Sequence, residues 1–255
     1  MKLYRLTYLL LGLAFIVALG SFATQTARLQ ATAEKNKENE AERKAKAIQR
    51  QAELRSSYLT VDYDEKESND VNKRALQRQR KLKHNNRPVV SKEPSPKDKE
   101  VSSYAHGQFD FPALPVEKSE LVVMVDVLQA EAHMSEDKGS VYSEFEVRLL
   151  EVFRSPNSKL VAGDLITVER QGGRVKYPSG QEILYRIKNC GMPKLGSRYL
   201  LFLNVIPDSD TYRILTGYES SFSGVKPLDI APQFEAYTGL SESELLAAVR
   251  RLLPN

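Results

Sequence analysis

The residues equipped for chemistry are few and far apart in this chain of 255. It has one Cys, three His and no Trp. Cys190, in Asn189-Cys190-Gly191-Met192-Pro193, is a possible nucleophile if a base is brought to it. His84 and His106 fall in a charged stretch. His133 lies in the β-rich part and is expected on a loop after the first strand. An enzyme would have to use Cys190, or a carboxylate pair that the sequence does not reveal. A single Cys excludes an intrachain disulfide and a Cys-based zinc site. Glu136-Asp137-Lys138-Gly139 lacks the alternating acidic positions and later Glu of a calcium loop. No phosphate-cradling glycine loop, Gly-x-Ser-x-Gly elbow or zinc-type spacing occurs. Neither metal nor cofactor is expected, and binding is favoured over catalysis.

The best candidate surface is the stretch from Arg170 to Arg186. Arg170, Arg174, Tyr177, Tyr185 and Arg186 cluster there around two glycine turns. Tyr and Arg are enriched at binding hot spots. Alternate residues of a strand share a face, so these side chains form one surface only where their registers agree.

The elements that would carry this surface are mostly strands. Leu121 to Leu128 reads as a buried strand. Val141, Ser143, Phe145, Val147 and Leu149 alternate with Glu144, Glu146 and Arg148, the period of a half-buried strand. The phase slips at Leu149-Leu150, as at a β-bulge, with Leu150 and Val152 turning inward beyond it. Leu165 to Gln171 is a third strand. Gly172-Gly173 is a tight turn, from which Arg174 to Tyr177 would return antiparallel. After Pro178-Ser179-Gly180, Ile183, Tyr185 and Ile187 alternate again. Tyr199 to Ile206 is nearly all apolar and should be a central strand covered on both faces. Asp208-Ser209-Asp210 turns it into Tyr212 to Gly217. A terminal helix over 241–253 is announced by a capping box of Ser241 and Glu244 and an apolar stripe of Leu245, Leu246, Val249, Leu252 and Leu253. Residues 108–255 are therefore expected to form a mostly β domain. A small antiparallel barrel of OB-like form with a C-terminal helix is preferred to an open sandwich, because closure removes exposed edges.

The run Leu121-Val122-Val123-Met124-Val125, then Val141 to Val147, then Gly196 to Leu203 with its Tyr-Leu-Leu-Phe-Leu strand, resembles a group of uncharacterised exported bacterial proteins. Arg170 to Gly173, Gly191-Met192-Pro193 and Leu215-Thr216-Gly217-Tyr218 extend the likeness, which covers about Ser119 to Leu253. More distantly, the order of elements is similar to netrin-like modules and the tissue inhibitors of metalloproteinases. That resemblance implies a five-stranded OB-type barrel. Inhibition by the family's N-terminal Cys is not implied, because this chain has neither that residue nor the family's disulfides. The nearer group brings no activity with it.

Charge and hydropathy divide the rest. Lys2 and Arg5 precede an apolar run, Tyr8 to Leu19, followed by Ser21-Phe22-Ala23. This is the pattern of a secretory signal over residues 1–23. The uncharged run 6–27 would be about 33 Å long as a helix and could instead remain as a membrane anchor. Either way the protein is expected to be exported, periplasmic or extracellular. Residues 28–106 hold 19 Lys/Arg against 13 Asp/Glu, whereas 107–255 hold 16 against 20. Over 24–59, Ala, Glu, Lys, Gln and Arg favour a charged, solvated helix. Residues 60–107 are expected to be a disordered basic linker, because few apolar residues are available to offset the entropy of ordering. Its block Lys73, Arg74, Arg78, Arg80, Lys81, Lys83 and Arg87 suits anionic lipid headgroups. Export disfavours nucleic acid as a partner. Together these features describe a non-catalytic binding or scaffolding module on a charged spacer, with an envelope protein or polysaccharide as its partner.

Overall fold

The computed structural model describes residue 45 and residues 58–85, 87–91, 94, 101–156, 159–207 and 209–253. The chain divides into two units, 1–53 and 54–255. The expected signal or anchor lies outside the described residues. So does the expected 24–59 helix, apart from helical Ala45 and the non-helical Tyr58 and Leu59. Among the described residues no helix is long and apolar enough to cross a membrane.

The second unit is mostly β with a C-terminal helix. Its strands are β1 (Thr60–Asp62), β2 (Val101–His106), β3 (Leu121–Met134), β4 (Val141–Arg154), β5 (Leu165–Gln171), β6 (Gly173–Lys176), β7 (Glu182–Lys188), β8 (Arg198–Val205), β9 (Thr211–Ser220) and β10 (Lys226–Pro227). Helix α1 spans Val71–Leu82 and α2 spans Glu242–Leu252. One sheet has the order β1-β6-β7-β2 and the other β10-β9-β5-β4-β3-β8, with a further β8–β9 pairing. β5 and β9 run parallel, and the pairs β3–β4, β4–β5, β3–β8 and β8–β9 are antiparallel. Each of these five strands thus has a neighbour on both sides.

Strand periodicity explains the packing. Leu121, Val123, Val125 and Val127 of β3 face one core together with Phe145, Val147, Val168, Leu201 and Leu203. Val122 and Met124, with Leu200 and Phe202, face the opposite way onto Leu245, Leu246 and Val249 of α2. β8 is covered on both faces, as its composition requires. Ser241 and Glu244 form the expected capping box. Leu252, expected on the inner stripe of α2, is instead 49% exposed at its end. The slip at Leu149-Leu150 is present: Val125 pairs with Leu149 and Met124 with Glu151, leaving Leu150 as the extra residue. Leu150 and Val152 do not share the inward face expected of them, because the extra residue Leu150 packs on the α2 side and Val152 on the β3–β4–β5 core.

Two further expectations, on the path of the chain, are corrected. Arg174 to Lys176 does not return along β5. Gly172, at φ 118°, redirects the chain into the other sheet, where β6 pairs with β7 and β1. A Cβ at Gly172 would lie 3.0 Å from the Tyr185 carbonyl oxygen, so any side chain there would be both strained and crowded. Nor is 60–107 a disordered linker throughout. β1 pairs with β6, α1 follows it, and β2 pairs with β7. Val61 and Val90 enter a core with Val175, Ile183 and Tyr185, and Tyr58 enters the core under β3–β4–β5. Contacts with distant strands supply the burial that local composition lacks, so the folded unit begins near Tyr58 and not at 108.

Candidate functional site

The outer face of β3, β4 and β5 carries the most concentrated polar chemistry among the described residues. Glu131 of β3 is the register partner of Glu144 on β4, which is the partner of Glu169 on β5. Like charges directly opposite one another on neighbouring strands destabilise a sheet. Glu144 and Glu169 are also buried, at 4% and 2% exposure. Such a row requires cations, and α1 supplies them.

Asp70 caps α1, its Oδ1 accepting from the backbone N–H groups of Asn72 and Lys73. These bonds hold its carboxyl below the usual carboxylate range. Glu67 pairs with Arg78 through two hydrogen bonds. The helix brings Arg80 over the row: Nη1 donates to Glu131 Oε2 at 2.9 Å, and Nε lies 2.9 Å from Glu144 Oε2. Just beyond the helix, Lys83 Nζ donates to Glu144 Oε1 at 2.7 Å and to Thr211 Oγ1 at 3.0 Å. His84, at φ 59°, places Nε2 2.8 Å from Glu169 Oε1. The Tyr142 hydroxyl donates to the Arg80 carbonyl at 2.7 Å. Burial pushes the Glu169 carboxyl up, but the His84 hydrogen bond and the charges of His84, Lys83 and Arg213 outweigh it, leaving a net downward shift.

His133 is not on a loop. β3 runs on to Met134, so His133 is a buried strand residue opposite Tyr142. Its Nε2 lies 3.6 Å from Glu144 Oε2 and 3.7 Å from Glu131 Oε2. Burial is the main cause that lowers its pKa, which favours the neutral ring. Between α1 and the sheet a groove of about 650 Å3 is lined by Gln129, Glu131, His133, Glu144, Glu146 and Thr167, among others. Among the described residues no group of three or more His, Cys, Asp or Glu is arranged to hold a metal ion.

Of the five residues expected to share an outer face, the structure brings Tyr177 and Tyr185 together, and in the interior. Arg170 is buried, donating to Asp229 Oδ2 and to the Gly191 carbonyl, each at 2.8 Å. Tyr177 and Tyr185 are buried with their hydroxyls 2.7 Å apart, and Tyr177 donates to the Ser91 carbonyl. Arg174 is half-buried, 3.5 Å from Glu182, and Arg186 is half-buried on β7. Strand alternation and the change of sheet at Gly172 separate residues that are close in sequence.

Cys190 and His133 line different clefts. Cys190 shares one of about 290 Å3 with His84, Glu169 and Arg170. Burial pushes its thiol up, while the nearby Arg170 charge opposes the shift. A protonated thiol is a poor nucleophile. Tyr58 donates to the Cys190 carbonyl at 3.0 Å, and burial raises its own pKa to about 12.

Sequence reasoning missed Glu131, Glu144, Glu169 and His84 as one site. The available signal was the opposite net charge of 28–106 and 107–255. It predicts attraction between the two regions without specifying which charges meet. No protein-family model matches the chain, and no curated protein matches its sequence.

Proposed function

We propose that this chain is an exported, non-catalytic binding module whose ligand face is the outer surface of β3, β4 and β5. We further propose that these strands, with β8 and β9, close into a small OB-type barrel, the fold that the resemblance to netrin-like modules implies. The cycle of strand neighbours and the parallel β5–β9 pair support this. OB-type folds use the face of their second and third strands and the adjoining loops for ligands. Here the corresponding strands are β4 and β5. Lys2, Arg5 and the apolar run after them support export.

The observation that carries the reading is the Glu131–Glu144–Glu169 row beside an open groove. Carboxylates held by cations suit recognition. The catalytic alternative centres on Cys190, and burial keeps that thiol protonated. The partner is an envelope protein or polysaccharide.

A photocrosslinking residue at exposed Gln129, in the full chain expressed in cells, tests the face. Adducts with an envelope component are expected, and they should weaken when Glu131 and Glu146 are changed to Ala. Adducts at Arg186 but not at Gln129 would move the site to the β6–β7 side. N-terminal sequencing after fractionation tests export. A start at Thr24 indicates a cleaved signal and an intact Met1 in membranes an anchor, whereas intact protein in the cytosol overturns export.

A further inference from the structure

The proposed ligand face is already covered by part of the chain, and the manner of covering points to the chemistry of the ligand. A helix that docks through hydrophobic contact turns its apolar stripe inward. α1 does the reverse. Its Val71 and Leu82 are 74% and 62% exposed, with Ala75 exposed between them, while Arg74, Arg80 and Lys81 are half-buried. No residue of α1 is buried. Hydrogen bonds and ion pairs therefore dominate its attachment.

The fit is also incomplete. Glu169 Oε2 and His133 Nε2 are buried without a hydrogen-bond partner, the former with Lys83 Nζ 3.6 Å away, beyond hydrogen-bond reach. Both residues are more than nine-tenths buried. Buried polar atoms left without hydrogen bonds are costly, so a ligand that satisfies them has an advantage over α1. The groove beside the helix leaves room for additional side chains from such a ligand. The strap is fixed at both ends, which lets it lift without dismantling the domain. Before it, β1 is paired with β6; after it, the Val89 and Val90 amides donate to the Gly139 carbonyl.

We infer that this face receives a basic, helix-forming segment of a partner polypeptide, and that α1 is an internal surrogate which that segment displaces. The inference rests on the reading of the outer face as the ligand face. Its specificity comes from the carboxylate row, which attracts ammonium and guanidinium groups and repels anionic polymers.

The probe is a labelled synthetic peptide with the sequence of residues 71–84, titrated against the full chain in detergent by fluorescence anisotropy. Ala75→Pro disrupts α1 at an exposed position while leaving every charge in place. The peptide should bind this variant at least tenfold more tightly than the wild-type chain. Adding Glu131→Gln and Glu144→Gln should abolish that gain, as should replacing the peptide's Lys and Arg by Gln. Equal affinity for the wild-type chain and Ala75→Pro would overturn the inference, as would binding indifferent to the two Glu changes. Hydrogen exchange on the wild-type chain gives a second readout, independent of how the variant folds. Excess peptide should accelerate exchange in α1 and leave α2 unchanged, and unaltered α1 exchange under excess peptide would count against displacement. If Gln129 crosslinks an envelope component but the peptide neither binds nor displaces α1, the face stands and the basic-segment class falls. A crosslinked polysaccharide has the same consequence. Failure of both experiments removes the face as well.

Discussion

Arg170 and Asp229 form the most enclosed ion pair described, at 6% and 0% side-chain exposure. Asp229 also accepts from the Gly191 amide at 3.0 Å, tying the Cys190 turn to the residues after β10. Removing one partner strands the other charge in the interior, so Asp229→Ala should destabilise the chain by about 3–5 kcal/mol, read from urea unfolding. A change within about 0.5 kcal/mol would mean that Arg170 finds another anion or water. The buried site also has a pH dependence. His133 has a folded pKa below the ordinary 6.5. Its contribution to stability is present above 6.5 and declines as pH falls below that value, because the unfolded chain then binds a proton that the folded chain resists. Glu169, whose folded pKa lies below 4.5, contributes above 4.5 and loses its contribution as pH falls through the folded value. Melting temperatures between pH 4 and 8 should therefore fall below about 6.5 in the wild-type chain, and less steeply in His133→Gln. Parallel curves for the two would refute the assignment to His133. Neither burial was legible in sequence. The sequence pattern ends the first strand before His133, and a lone Arg in a strand gives no sign of a partner 59 residues away.

The two helices show why one element was readable and the other was not. α2 announces itself: Ser241 and Glu244 cap it, and Leu245, Leu246 and Val249 form a stripe that docks on Leu200 and Phe202. Capping and stripe are both local, so the sequence contains the argument. α1 has a cap at Asp70, but its apolar side chains point outward. Its partners Glu131 and Glu144 are 51 residues from Arg80 and 61 from Lys83, respectively. A segment ordered by charges so distant in sequence resembles a linker in composition. The same difference predicts different responses to salt. Raising ionic strength from about 0.1 M to about 1 M shortens the screening length from about 10 Å to about 3 Å. Exchange of α1 amides should quicken across that range. The α2 amides, held by apolar burial, should keep their protection. Equal acceleration of both helices would show that α1 is not held chiefly by charge.

At the scale of the whole molecule, the opposite charges of 28–106 and 107–255 separate in sequence but meet in part in the fold. The described stretch from Tyr58 to Ser91 wraps the sheets. Tyr58 enters one core, Val61 and Val90 another, and Lys83 and His84 contact carboxylates of the β-sheet face. The seven strands expected between Leu121 and Gly217 are present as β3 to β9, because each carries its own alternation or apolar run. β1 and β2 were missed because short polar strands become recognisable only once their partners β6 and β7 are known. The organisation predicts where the chain can be cut. A protein of residues 58–255 should unfold in one cooperative step. One of residues 108–255 loses Tyr58, Val61 and Val90 from its cores and leaves the opposed Glu131, Glu144 and Glu169 without Arg80, Lys83 or His84. Like charges opposite one another on neighbouring strands, with their cations removed, take up protons more readily. The shorter protein should therefore have a lower urea midpoint at pH 7 and recover part of the difference as pH falls toward 5. Equal midpoints for the two lengths would return residues 58–107 to the role of a spacer. A lower midpoint with no recovery in acid would leave their contribution to packing and remove the one assigned to charge.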